Sequence, residues 1–306
     1  MRDWAAPPQS RLIISASLDQ AQLDGAANAY IHFGLVGLSS LIDTIPYGSR
    51  EFAFFERVSA PPTFDVIYRA IQDQSLANTL IRYAPHVSFQ LAVAADMGTE
   101  SASALALRII NALRVKTRAD LLVPAHLSIS WNELQKAIPG SCSGRILEDI
   151  PSAMTLEEPR NVEQVDFDWL WHSGEIFEEL LRDGRFGLAV ESLCYCHLLR
   201  DARMMAAGLW AGIEALCGVT YELRFRIALI ASAILEPRGE RRKALFKRLQ
   251  QLYNVRSKAV HGAEVTTDAL VEHVVEVRIL LAQLIMKSIT AGRILTTEDC
   301  EDLILL

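Results

Sequence analysis

The chain has 306 residues, 51% hydrophobic and 22% charged, with a net charge of −7 and an isoelectric point near 5.6. That is enough chain for one large domain or two ordinary ones around a substantial core. Thirteen basic and sixteen acidic side chains fall in residues 1–161, seventeen and twenty-one in 162–306. Neither half is thus a basic nucleic-acid module, and any contact with RNA or DNA needs a local patch.

The opening "MRDWAAPPQS" lacks the apolar core of a secretion signal, and no apolar run approaches a membrane span. The cysteines, at 142, 194, 196, 217 and 300, are few and irregular. The expectation is therefore reduced packing residues in a cytoplasmic protein, with no membrane partner.

Residues 1–150 read as a mixed α/β unit. "RLIISASL" (11–18) is strand-like, and a Gly/Ala-rich helix is expected at about 20–42. Residues 63–84 show helical spacing through Phe64, Ile67, Ile71, Leu76 and Leu80. "HVSFQLAVA" (86–94) alternates like a strand, 101–117 is a clear helix, and 120–131 reads as extended around Pro124. "GSCSG" (140–144) holds Cys142 with no matching histidine motif, so a flexible turn is expected rather than a nucleophile. No phosphate-binding glycine loop, G-x-S-x-G or paired zinc ligands occur in the sequence.

Residues 151–161, "PSAMTLEEPRN", have linker composition. Ten of the eleven prolines precede residue 160, so 162–306 is open to long helices. Helices are expected at 167–183, 185–199, 201–219, 221–237, 239–262 and 266–292, and a short one closes the chain at "EDCEDLILL". Short connections between such helices make an antiparallel bundle. The fold class expected is mainly α, with a C-terminal helical bundle after a mixed N-terminal domain.

The fifth of these helices ends unusually, in "LYNVRSKAVHG" (252–262). Leu245, Leu249, Leu252, Tyr253 and Val260 make its apolar stripe, and Arg256 lies on that stripe. A guanidinium stays charged, so it must there be paired or hold an anion. Glu214, one residue off the apolar face of "LWAGIEALCG", is the candidate partner. His261 follows five residues later, about 140° round an ideal helix, at a C-terminus where the dipole favours imidazolium. The bare R-x-x-x-x-H spacing carries little, since about 0.5 matches arise by chance from 24 arginines and 7 histidines.

The surrounding string is more specific. It strongly resembles the signature of the HEPN superfamily, in particular Apea-like HEPN domains, commonly L-Y-x-x-R-S-x-x-V-H-G. Leu252, Tyr253, Arg256, Ser257, Val260, His261 and Gly262 match it. "LWAGIEALCG" looks like the family helix bearing E-A-L, which carries Glu214 over, and "YELRFRIALIASAIL" is similar to the helix between the two. The resemblance covers roughly 163–306 and leaves 1–150 aside.

The resemblance implies an all-helical, often dimeric domain whose active members cut RNA without a metal or other cofactor. Arg256 would neutralise the phosphorane-like charge as the RNA 2′-hydroxyl attacks its own phosphate. His261 would transfer the proton, with Ser257 bonding the histidine or the phosphate and Tyr253 in support. A homodimer would set two such pairs across one cleft. Arg241, Arg242, Lys243, Lys247, Arg248 and Lys258 are the candidates to track a single-stranded or loop RNA backbone. The expected function is a toxin or antiphage-defence ribonuclease, with an antitoxin or defence protein as a possible further partner. The alternative is a non-catalytic HEPN module binding RNA, a nucleotide or a partner protein. A purely structural bundle, with Arg256 in a core ion pair and His261 as a cap, is the third.

Overall fold

The computed structural model describes residues 30–48, 52–150, 159–262, 264–295 and 299. Its N-terminal part is built on strands β1 (Tyr30–Val36), β2 (Leu38–Ser39), β3 (Thr44–Pro46), β4 (Ala53–Arg57), β5 (Val87–Ala94), β6 (Ala125–Leu127), β7 (Gly144–Ile146) and β8 (Arg160–Asn161). Six of them form an antiparallel sheet in the order β3-β4-β5-β1-β6-β7. The long central pair β1–β5 sets the register, with Tyr30 opposite Ala94 and Phe33 opposite Leu91. Ile31, Phe33 and Leu35 enter the main core, and helix α3 (Thr99–Thr117) lies against both strands. The opposite face carries α1 (Phe64–Ala70) and α2 (Gln74–Tyr83) over Val87, Leu127 and Trp131. Gly34 sits under the Trp131 ring, where a Cβ would come within 2.4 Å of Cζ2.

Several expectations change here. Residues 30–36 and 38–39 are strands, not part of a helix. β1 is covered on both faces, so "YIHFGLV" is buried almost throughout and its period cannot tell strand from helix. The helical spacing expected at 63–84 is realised as two helices. Asp73 starts the second by accepting the N–H groups of Ser75 (2.8 Å) and Leu76 (3.0 Å). "GSCSG" is tied down rather than a flexible turn: Gly140 N–H donates to Arg69 O and Cys142 N–H to Ala70 O. The strand expected at 11–18 and the final helix lie outside the described residues, as does 151–158. Arg160 and Asn161, at the end of the expected linker, pair in parallel with Leu38 and Ser39.

The C-terminal part is helical, with α4 (Gln164–Leu180), α5 (Gly184–Tyr195), α6 (Ala202–Cys217), α7 (Leu223–Leu235), α8 (Glu240–Val260) and α9 (Thr267–Ala291). Asp201 caps α6 by accepting Arg203 N–H at 2.6 Å, and Thr266 caps α9 by accepting Ala269 N–H at 3.4 Å. Gly218 and Gly292 end the same two helices in the left-handed conformation. α6 buries Met205, Leu209, Trp210, Ile213, Leu216 and Cys217, the stripe its sequence predicts. Among the described residues no helix is long and apolar enough to cross a membrane.

The buried core runs without interruption from the sheet into the helices. Phe55 of β4 meets Phe167 of α4 edge-on at 4.9 Å, and α3 packs against α4, α5 and α9. Two buried ion pairs lie near this junction: Arg114 with Glu148 at 2.8 Å, and Arg278 of α9 with Asp120 at 2.5 Å.

Candidate functional site

Helix α8 presents Leu249, Leu252 and Ala259 to the core. Ala259, rather than the expected Val260, closes the buried stripe; Val260 is 44% exposed. Arg256 remains on the inner side, as its spacing predicts. Its Nη2 lies 3.4 Å from Glu214 Oε1 near the end of α6, and both side chains are about a fifth exposed, 21% and 22%. The guanidinium carbon stands 5.5 Å from the centre of the Tyr253 ring. That ring meets Trp210 edge-on at 5.1 Å, and Trp210 Nε1–H donates to His273 Nε2 at 3.1 Å. Arg256, Glu214 and Tyr253 are thus one cluster, backed by two side chains from the core.

The pair is incomplete electrostatically. Burial raises the Glu214 carboxyl above its ordinary range, and Arg256 only partly pulls it back. The Tyr253 hydroxyl is raised too, by burial and then by Glu214, against Arg256. Arg256 Nε is buried without a hydrogen-bond partner. It is an unmet donor within the cluster. With the pair between the exposed and buried limits, Arg256→Met should cost about 1–3 kcal/mol. Urea unfolding measures this, and an unchanged midpoint would show that Glu214 contributes nothing through Arg256.

His261 is the C-cap of α8, at φ −89° and ψ 12°. Its backbone N–H donates to Ser257 O at 3.1 Å. The imidazole is exposed and, among the described residues, makes no hydrogen bond or ion pair. Ser257 is half-buried one residue beyond Arg256. Counting at 100° per residue, Lys247, Asn254, Lys258 and His261 share a sector of about 60°, and Arg256 faces about 180° from Lys247. One protomer therefore does not converge Arg256 and His261 on a single face of α8.

The basic candidates separate. Arg248 is held by Glu276 of α9, Nε to Oε1 at 2.8 Å. Arg242 Nε donates to Glu236 O at 2.8 Å, and Lys243 pairs with Glu240 at 3.6 Å. Arg241, Lys247 and Lys258 are exposed and form no ion pair with a described carboxylate. Sequence reasoning missed a neighbouring group at the start of α7: Tyr221 and Phe225, 61% and 51% exposed, with Arg224 and Arg226. The signal was present in "YELRFR", where aromatic and cationic residues interleave.

Elsewhere, Cys142, Cys194, Cys196 and Cys217 are buried. Burial pushes the Cys142 thiol up to about 11, which removes the thiolate a nucleophile needs. Among the described residues no three His, Cys, Asp or Glu side chains are grouped to hold a metal ion. Comparison of the chain with protein-family models, with curated proteins and with solved structures gives no match.

Proposed function

We propose that this chain is a metal-independent endoribonuclease of the HEPN type, a cytoplasmic toxin or defence effector that acts on single-stranded or loop RNA. The observation that carries the reading is Arg256: a cation on the inner side of α8, a fifth exposed, loosely paired at 3.4 Å, with a buried Nε that lacks an acceptor. In the proposed reaction the RNA 2′-oxygen bonds to the adjacent phosphorus and the 5′-oxygen of the next nucleotide leaves. A 2′,3′-cyclic phosphate and a 5′-hydroxyl result. Arg256, with Ser257 beside it, neutralises the charge gathering on the phosphate oxygens. His261 takes the 2′-hydroxyl proton or delivers one to the leaving oxygen.

Because Arg256 and His261 diverge within one copy, the reading requires a symmetric dimer in which one protomer's His261 serves its partner's Arg256. Exposed apolar side chains beside His261 fit such a contact. Val260 is 44% and Met204 59% exposed, and Arg203 Nη1 bonds Ala259 O at 3.3 Å, which brings the start of α6 to the end of α8. An antitoxin or other defence protein is the natural restraint on such an enzyme, with the N-terminal part as sensor or collar.

A second reading is a non-catalytic module binding RNA, a nucleotide or a partner protein. The Glu214 carboxylate beside Arg256 and the outward His261 favour it. Purified protein incubated with loop-bearing RNA in EDTA separates the two. The ribonuclease cuts, a 2′-deoxy nucleotide at the scissile position resists, and His261→Ala loses about 10²–10⁴-fold in rate while still binding. Cleavage that survives His261→Ala, or stops on chelation, sinks the mechanism. A wild type that binds and never cuts leaves the binding module, and a strictly monomeric active species excludes the shared site.

A further inference from the structure

Helices α7 and α8 pack side by side, and the ridge they share has an unusual surface for an acidic chain. Tyr221 and Phe225, four residues apart, are 61% and 51% exposed. Phe225 meets Phe246 of α8 edge-on at 5.7 Å, so α8 braces one side of the ring and water covers the rest. The Arg226 guanidinium lies 4.3 Å from the centre of the Tyr221 ring. Arg224 bonds Asn254 at 3.4 Å, in the sector of α8 that also carries Lys247 and His261, which fixes this group on the His261 side of the helix. Arg224, Arg226 and Lys247, which follows Phe246 on α8, form no ion pair with any described carboxylate, and Glu222 is the one acid in 221–226.

We infer that Tyr221 and Phe225, flanked by Arg224, Arg226 and Lys247, form a stacking platform for the unpaired bases of single-stranded RNA on the His261 side of α8. The inference rests on the ribonuclease reading for what is bound, and it adds where the flanking nucleotides lie. Aromatic rings more than half exposed suit bases, which stack irrespective of sequence, and interleaved cations suit the phosphates between them. A duplex hides its bases in the stack and would leave both rings unused. A second copy of this chain is disfavoured as the occupant. A two-fold contact sets a patch against itself, which here opposes Arg224, Arg226 and Lys247 to their own copies.

The test uses the full chain and a fluorescein-labelled oligouridylate of about twelve nucleotides, within the span of known single-strand sites. Its 2′-hydroxyls are methylated, so anisotropy reads binding with no cleavage. Tyr221→Ser with Phe225→Ser should raise Kd at least tenfold with the melting temperature unchanged, and Tyr221→Phe with Phe225→Tyr should restore it. Should the serine pair fail to fold, Arg224→Gln with Lys247→Gln reads the same surface. Each lost cation should flatten the slope of log Kd against log salt by roughly 0.7. Unchanged affinity in the serine pair, or an unchanged salt slope in the glutamine pair, overturns the platform. So does a serine pair whose oligomeric state changes in light scattering while RNA binding does not, since the surface is then a self-contact. A platform that binds in a protein that never cuts removes the ribonuclease reading alone. Cutting with binding indifferent to residues 221 and 225 removes the platform alone.

Discussion

Glu148→Gln is expected to cost the protein about 3–5 kcal/mol, because it strands a buried cation. The Arg114 side chain is 1% exposed, and Glu148 is its counter-charge, with both carboxylate oxygens at 2.8–2.9 Å from Nη2. The remaining guanidinium donors go to Leu121 O and to Asn111 Oδ1. Glu148 Oε2 also accepts Val123 N–H at 2.7 Å, so the pair ties α3 to the chain that leaves it. The Tyr195 ring of α5 stands 5.1 Å from the guanidinium carbon, which extends the tie into the helical part. Glutamine keeps the volume and one acceptor but removes the charge. Arginine cannot answer by losing its proton. A carboxylate can answer by gaining one, so Arg114→Met should cost less than Glu148→Gln. That asymmetry distinguishes a stranded charge from lost packing. Urea denaturation of the two variants measures it, and equal losses would mean that charge is not the cause.

What the sequence made legible follows from where the determining contacts lie. α6 and α9 were readable at both ends because their signals are local: Asp201 and Thr266 at the start, Gly218 and Gly292 at the stop, and a 3.6-residue stripe between. The Arg256–Glu214 contact was readable because a charge on an apolar stripe demands a partner and only a few glutamates are placed to supply one. β1 was not, since a strand buried on both faces loses the alternation that identifies it. The basic run on α8 looked continuous, yet Arg248 is taken up by Glu276, which lies on the next helix and shares no local pattern with it. The end of α8 differs by one residue: spacing places Val260 on the apolar stripe, and the helix turns Ala259 inward instead.

Acidification from pH 7 to pH 4 should destabilise the protein steeply, through three histidines that burial keeps neutral. His273 and His32 are lowered to about 4 and His197 to about 3, in each case chiefly by desolvation. All three are less than a tenth exposed, and Arg114 and Arg278 press further on His197. His273 Nε2 accepts the Trp210 N–H, which requires the lone pair that protonation would remove. In the unfolded chain each titrates near its ordinary value of about 6.5. Above that pH neither state binds the proton and the histidines are neutral toward stability. Between about 6.5 and the folded values near 4 and 3, only the unfolded chain takes it up, so stability falls as pH falls. At about 1.4 kcal/mol per pKa unit, three such groups amount to several kcal/mol by pH 4, a large share of an ordinary folding free energy. Glu214 works the other way, because its raised carboxyl takes up a proton more readily when folded, but it is one partly exposed group against three buried ones. Thermal melts from pH 7 to pH 4 should show a steep loss, and His197→Gln, which keeps a donor for Leu121 O in place of the ring nitrogen 3.2 Å away, should make the loss shallower. A melting temperature that holds level down to pH 4 would show that these rings accept protons inside the fold, and the account of their burial would be wrong.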